Sequence, residues 1–471
     1  MMRIATFSRC LARGVMLQRQ LARPVSTASV GSGSAEVGAP PAASTGPTSE
    51  EKQPQLPLRK WSVWRKISRV FSYQEGLFIV PISLKDEAGS ATKRQLLPWI
   101  WLRDQCRCAS CVNQDTQQRQ VKTFEIPRGL WGRVKLRQDA SKETEQVDIM
   151  WSDGHFSTYD GSFLHYYTVA DERPNPSVPG RYNESWGAKG PKQPPIVQYK
   201  KVMETEEGVR ILTDLIKRRG FAFVDGTPYG DPEHTKRLLE RIAFIRITHY
   251  GGFYDFTADL AMADTAYTNI SLPAHTDTTY FDDPAGLQAF HMLSHEPDAS
   301  SKDANSLGGE SLLVDGFNAA LTLKKVAPRA YQILSEVPLP WHASGNKGIA
   351  ITPERTYPVF ELSDNGKRLV RVRWNNDDRG VVPFHPKYSP NEWYEAASRW
   401  NALLEDEKLQ YWEQLKPGRT LIFDNWRVLH GRNAFTGKRR ICGAYINRND
   451  FMSRWRTLNR TPEEVNRVVI G

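Results

Sequence analysis

The stretch Leu272-Pro-Ala-His275-Thr-Asp277-Thr-Thr-Tyr280-Phe281 decides how this chain is read. Its His-x-Asp pair gains meaning from a second run far downstream, Phe423-Asp-Asn-Trp-Arg-Val-Leu-His430-Gly-Arg432. Two imidazoles and one carboxylate can occupy one face of an octahedral Fe(II), leaving the opposite face for a bidentate cosubstrate and O2. A His-x-Asp alone arises by chance in any chain rich in both residues. The strand-like run Leu421-Ile422-Phe423, a loop expected to carry His430, and the basic pair Arg439-Arg440 just beyond lift it above chance. Such an arginine can hold the distal carboxylate of 2-oxoglutarate through a two-pronged charge-assisted bond. The set reads as an iron oxygenase site.

Outward from this stretch, β-branched and aromatic residues predict short strands at 286–292, 311–314, 369–374, 421–424 and 441–446. A helix opens at Thr205, buries Val209, Leu212, Leu215 and Ile216, and stops at Gly220; Phe221-Ala-Phe-Val224 follows as a buried strand. Asp231-Pro232 starts a second helix through Leu238, Leu239 and Ile242, with Asp as cap. Ser389-Pro390 starts another, lined by Trp393, Ala397, Trp400 and Leu404. Helices flanking many spread-out strands predict a mainly β, closed or double-layered antiparallel fold. No internal repeat or phosphate-binding glycine loop is visible.

A chain of 471 residues carries two or three domains by length. Residues 1–27 hold five arginines, Ser and Thr, no acid, and apolar residues at helix-compatible intervals, the composition of a mitochondrial presequence. Those arginines make up half of the formal charge of +10, and the remaining charges are of mixed sign. Basicity is therefore weak evidence for nucleic acid. Residues 28–60, rich in Pro, Gly, Ser and Ala, cannot bury enough surface to offset chain entropy and read as a tether. Residues 61–170 read as a small β-rich domain with strands at 76–84, 131–136, 147–151 and 156–159. Six prolines within 171–195 make a connector, and 196–471 form the second domain. No run approaches a membrane span.

Three of the five cysteines crowd into Cys106-Arg-Cys108-Ala-Ser-Cys111. An odd triplet is no disulfide framework, but three thiolates and one more ligand can close on a tetrahedral Zn2+. His155, following a predicted strand, is the best fourth ligand, with His165 the runner-up. Such a closed site is structural. A zinc module that binds nucleic acid would need aromatics interleaved with Lys or Arg, and 106–121 offers no such ladder. Cys442 reads as a buried thiol. Tyr250, Tyr254 and Tyr267 can box a quaternary ammonium by cation–π attraction, although spacing alone favours core positions.

Taken together, His275-Thr-Asp277, Asp424-Asn-Trp-Arg-Val-Leu-His430-Gly-Arg432 and Trp101-Leu-Arg-Asp-Gln-Cys106-Arg-Cys108-Ala-Ser-Cys111 resemble the γ-butyrobetaine and trimethyllysine dioxygenases of carnitine biosynthesis. The resemblance runs from about Phe71 to Trp455. It implies a double-stranded β-helix (jelly-roll) catalytic domain behind a zinc-binding N-terminal domain, with Fe(II), 2-oxoglutarate and ascorbate as cofactor, cosubstrate and reductant. His275, Asp277 and His430 would hold iron. Arg439, or second to it Arg440, would hold 2-oxoglutarate with help from Ser311. Cys106, Cys108, Cys111 and His155 would hold zinc. Tyr250, Tyr254 and Tyr267 would form a trimethylammonium cage, departing from the family at Tyr254, where Trp is common; Asn375 would lie in the pocket.

Asp264 and Thr278 resemble the trimethyllysine branch, since the other branch carries Asn and a bulky Tyr there. A carboxylate suits a substrate with an additional α-ammonium. The resemblance thus implies hydroxylation of Nε-trimethyllysine at C3, yielding succinate and CO2, with γ-butyrobetaine as the alternative substrate. It further implies a homodimer in the mitochondrial matrix, with a small trimethylammonium amino acid and neither nucleic acid nor membrane as partner.

Overall fold

Side-chain alternation along the strands of two main sheets builds the larger part of the described residues. The computed structural model describes residues 67–73, 75–81, 95–138, 145–168, 183–190, 194–257, 268–297, 307–344 and 346–469. The expected presequence and tether, Asp264 and Tyr267 lie outside the described residues. The strands are β1 (Ile196–Gln198), β2 (Phe221–Asp225), β3 (Tyr254–Thr257), β4 (Leu272–His275) and β5 (Leu287–Glu296), followed by β6 (Ser311–Asp315), β7 (Gln410–Glu413), β8 (Arg419–Asp424), β9 (Val428–Arg432) and β10 (Lys438–Ile446). One sheet runs β3-β10-β5-β8-β2-β1, with Ile245–Arg246 also paired to β10; the other runs β4-β9-β6-β7. Pairing is antiparallel except between β1 and β2.

Successive residues point to opposite faces of a strand. Phe221 and Phe223 of β2, Leu421 and Phe423 of β8, Ile441 of β10, Leu313 of β6 and Val428 of β9 therefore meet in one core between the sheets. The intervening Ala222, Val224, Ile422, Ala444 and Ile446 face outward onto helices Glu206–Arg219, Glu233–Glu240 and Arg448–Asn459. Ala274, Leu312, Val314 and Leu429 cover the outer face of the second sheet beneath Gly316–Val326, Pro328–Glu336 and Pro390–Leu404. This is the two-layered β-fold expected, consistent with a jelly roll.

Several local expectations are met at the level of single hydrogen bonds. Thr205 accepts from Gly208 N, Gly220 ends the helix with φ 84°, and Ser389 and Glu392 form a reciprocal capping box. Other expectations are corrected. His430 lies inside β9, not in a loop, because the turn is made earlier by Asn425 and Trp426. The second helix begins at Glu233 and ends at Glu240; Asp231 Oδ1 accepts from Glu233 N, and Ile242 lies beyond the helix. The strand expected at 369–374 is trimmed at Val372, and the one expected at 76–84 is described as far as Pro81, its last three residues lying outside the described residues. Trp186, placed in the connector, packs in the inter-sheet core 5.1 Å from the Phe221 ring.

Among the described residues, the N-terminal part holds two three-stranded antiparallel sheets, Ile67–Tyr73/Gly76–Pro81/Gln95–Pro98 and Gly132–Gln138/Glu145–Trp151/Phe156–Asp160. Leu77, Leu97, Trp99, Leu102, Ile149 and Trp151 are among its buried residues.

One buried charge works against stability. Lys217 is buried, its Nζ has no hydrogen-bond partner among the described residues, and it lies 5.7 Å from the Trp455 ring. Burial, reinforced by Arg448 and only partly offset by Asp424, pushes the amine down to about 7. An unfolded chain keeps it near ~10.4. Between those values the unfolded state binds more protons, so stability rises with pH; below about 7 the full penalty stands. Lys217→Met is expected to stabilise the fold at pH 7 by roughly 2 kcal/mol, with the advantage shrinking towards pH 10. Equal gains in Tm at both pH values would contradict this.

Candidate active site

Three ligand atoms converge where β4 and β9 lie side by side. His275 and His430 are register partners, so alternation turns both rings to the same face. Their ring centroids are 4.3 Å apart. Asp277 Oδ1 lies 3.2 Å from His275 Nε2 and 3.8 Å from His430 Nε2. Adjacent ligands on roughly 2.1 Å metal bonds sit about 3 Å apart, so the donor set fits one ion. His275 Nδ1 donates to the Pro273 carbonyl at 2.8 Å, which leaves the Nε2 lone pair for a metal.

Asp277 is fixed from two sides. Its backbone is clamped by Asn425, which accepts from Asp277 N at 2.8 Å and donates to its carbonyl at 2.9 Å. Gln288 Nε2 at 2.7 Å and the Tyr445 hydroxyl at 2.6 Å both donate to Oδ2. One oxygen is thereby held by the protein and the other is presented to the histidines. Burial opposes charge on Asp277, but His430, His275 and Tyr445 outweigh it and hold the carboxyl below the usual range. Burial lowers His275, and Asp277 more than reverses it. His430 is pushed down to about 3 by burial and by His275, which keeps its imidazole neutral. Thr278, the next residue, is buried with φ 57°; its Oγ1 accepts from Ala285 N at 2.8 Å.

A cavity of about 310 Å³ opens onto these residues, and Tyr250, Tyr254, Ser311, Asn375 and Arg439 also line it. Strand parity separates the two arginines. Arg440 faces outward and pairs with Asp255 at 2.6 Å. Arg439 faces inward, is buried, and its Nε has no hydrogen-bond partner among the described residues. Burial, with Arg432 nearby, pushes it down to about 9. A buried cation without a carboxylate is costly, and a bound dicarboxylate would relieve it. Tyr254 lies over Gly443, where a Cβ would come within 2.8 Å of its ring and 1.9 Å of the Ala289 carbonyl. The Tyr254 hydroxyl donates to that carbonyl at 2.7 Å.

The cysteine triplet forms a separate cluster. His155 Nε2 lies 3.3 Å from Cys106 Sγ and 3.5 Å from both Cys108 and Cys111 Sγ. Tetrahedral edges for bonds of about 2.0–2.3 Å are roughly 3.5 Å, so these four donors also fit one ion. Arg103 donates to Cys111 Sγ at 3.3 Å and pairs with Asp153 at 3.1 Å, while Asp153 accepts from His155 N at 2.9 Å. Burial and Arg103 lower the His155 pKa, favouring the neutral, ligating form.

A family model described as "Taurine catabolism dioxygenase TauD, TfdA family" matches residues 180–445, and one described as "Gamma-butyrobetaine hydroxylase-like, N-terminal" matches 84–165. The chain is 54% identical to the trimethyllysine dioxygenase of Neurospora crassa over 424 residues, covering 84% of this chain and 87% of that one. The chain belongs to the trimethyllysine dioxygenase family. It is 37% identical to the mitochondrial trimethyllysine dioxygenase of Homo sapiens, covering 76% of this chain and 82% of that one. Against the human gamma-butyrobetaine dioxygenase the identity is 27%, covering 83% and 97%.

Within this trimethyllysine dioxygenase family member, sequence reasoning missed Gln288, Asn425 and Tyr445. Asn425 sits inside the quoted Asp424–His430 run and Tyr445 inside Ile441-Cys-Gly-Ala-Tyr445, so inward parity from Arg439 would have pointed to Tyr445. Nothing in the sequence marks Gln288. The neighbouring Arg427 is structural: it pairs with Asp315 at 2.8 Å, both side chains being buried.

Proposed function

We propose that this chain hydroxylates Nε-trimethyllysine at C3 with 2-oxoglutarate and O2, giving 3-hydroxy-trimethyllysine, succinate and CO2, the first step of carnitine biosynthesis. The observation that carries the reading is the convergence of His275, Asp277 and His430 on a cavity shared with aromatic rings and an inward arginine. Those three residues would hold Fe(II), which supplies O2 activation when bound. Arg439 would bind the far carboxylate of 2-oxoglutarate, with Ser311 beside it. Tyr250, Tyr254 and Tyr267 would box the trimethylammonium group, each contributing ~0.5–2 kcal/mol. Asn375 would orient the substrate, and Asp264 would add a carboxylate suited to a cationic amino acid. Their common task is geometric: small misplacement of C3 lowers the rate by large factors.

The test is direct. Purified protein with Fe(II), 2-oxoglutarate and ascorbate is offered trimethyllysine, γ-butyrobetaine and lysine, and succinate is measured. Trimethyllysine is expected to be preferred; faster turnover of γ-butyrobetaine would sink the substrate assignment.

Cys106, Cys108, Cys111 and His155 would hold one structural Zn2+ in a domain at 61–170, joined through 171–195 to the dioxygenase domain at 196–471. Freshly purified protein is expected to contain one zinc per chain, and Cys108→Ser to lower yield and Tm far more than turnover per folded molecule. Elemental analysis without zinc would refute this. We assign 1–27 to a mitochondrial presequence and 28–60 to a linker, with the enzyme in the matrix as a homodimer. Relatives named mitochondrial support the address. No helix among the described residues is long and apolar enough to cross a membrane, and we assign neither membrane nor nucleic acid as a partner.

A further inference from the structure

The substrate proposed above is cationic at both ends, and the ends lie at unequal distances from the carbon that reacts. C3 is bonded to C2, so the α-nitrogen lies only roughly 2.5 Å from C3. The quaternary nitrogen is four bonds away on the other side. Whatever recognises the α-ammonium must therefore stand close to the metal-binding triad, whereas the aromatic box stands farther off.

Two further carboxylates line the cavity among the described residues, Asp377 and Asp378. Asp377 is exposed; Asp378 is half-buried. Asp378 lines the same cavity as His275, Asp277 and His430, and it is reached by Thr279, two residues after Asp277. Its carboxylate is oriented, since Thr279 Oγ1, from the fully buried residue two beyond Asp277, donates to Oδ2 at 2.7 Å. Its backbone is held too: the Asp378 carbonyl accepts from His342 N at 2.9 Å, next to a bridge between Trp341 and Arg379. A carboxylate braced in this way on the wall of a cavity, next to a metal-binding triad, is suited to a cation and not to 2-oxoglutarate. The dicarboxylate has Arg439 on the same cavity.

We propose that Asp378 receives the α-ammonium group of the amino-acid substrate and so sets the preference for an α-amino acid over trimethylammonium carboxylates that lack the amine. The assignment rests on the function proposed above. Charge-assisted hydrogen bonds of this kind correspond to about ten- to a hundredfold in affinity.

The experiment compares trimethyllysine with 6-(trimethylammonio)hexanoate, the same molecule without the α-amine. kcat/KM is read from succinate, and Kd by calorimetry with Mn(II) and 2-oxoglutarate in the absence of O2. Wild-type protein should favour trimethyllysine by at least about tenfold in both measures. Asp378→Asn should lower kcat/KM and affinity for trimethyllysine by about ten- to a hundredfold, and change the des-amino compound by less than about threefold, so that discrimination collapses. Asp378→Glu should restore part of it.

A parallel loss for both compounds would overturn the proposal, because a merely structural role predicts it. So would an unchanged ratio, or loss of discrimination in Asp264→Asn with none in Asp378→Asn. If Asp378→Asn does not fold, Thr279→Val decides: it keeps the carboxylate but removes its orienting hydroxyl, and should erode the ratio by about threefold, an unchanged ratio again overturning the proposal. A wild-type protein that turns over neither compound refutes the function proposed above instead, and is recognised by its lack of succinate before any variant is made.

Discussion

Asp277→Ala is expected to lower substrate-dependent succinate formation by roughly a thousandfold or more. Asp277 provides the one anionic donor of the triad, and its Oδ1 lies 3.2 Å and 3.8 Å from the Nε2 atoms of His275 and His430. Without it, two neutral imidazoles remain beside two donors, Gln288 Nε2 and the Tyr445 hydroxyl, which no longer meet an acceptor. Those orphaned donors disfavour a cation further. Metal affinity should fall in step with turnover, measured as Mn(II) retained after gel filtration, while the melting temperature changes little. Near wild-type turnover in this variant would show that the three residues are not the metal site.

Arg439→Ala should raise the apparent KM for 2-oxoglutarate by about thirty- to a hundredfold, the equivalent of one shielded charge-assisted pair at ~2–3 kcal/mol. Succinate yield per turnover should be unchanged at saturating cosubstrate. Stability should move the other way. Arg439 is buried without a carboxylate among the described residues, and burial holds its guanidinium down to about 9, so removing it relieves a penalty in the ligand-free protein. A variant that binds its cosubstrate worse yet melts no lower without it separates a binding role from a structural one. Arg440→Ala, which breaks an exposed pair with Asp255, should change either quantity by less than about twofold. An effect on 2-oxoglutarate larger at Arg440 than at Arg439 would reverse the assignment.

The triad was legible because its spacing is chemical: one strand edge supplies His275 and Asp277, and a later strand supplies the partner. What holds the triad was not, since Tyr445 and Asn425 reach Asp277 from 168 and 148 residues away. Such contacts exist only once β5, β8 and β10 are in register. The choice between Arg439 and Arg440 was undecidable for the same reason. Period-two alternation says that they point apart but not which points inward, and it is Asp255 on the neighbouring β3 that gives Arg440 its outer partner. Helix Gly316–Val326 has no counterpart among the elements expected from the sequence. In the structure Asp315 accepts from Phe317 N and Asn318 N and so caps its start. The zinc-type cluster was legible in three of its four members, and the fourth could be named because the β-hairpin between Glu145–Trp151 and Phe156–Asp160 leaves His155 just past its turn.

Thr278 ties the width of the cavity to the energy of the backbone. A β-branched residue at φ 57° stores roughly 1–2 kcal/mol that a glycine would not. Glycine, however, would give up the hydroxyl that secures Ala285 N and would leave an emptier wall beside Asp277. A larger residue would narrow the wall while keeping the same left-handed turn. Adaptation to a slimmer or bulkier substrate through this position would therefore alter thermal tolerance with each step.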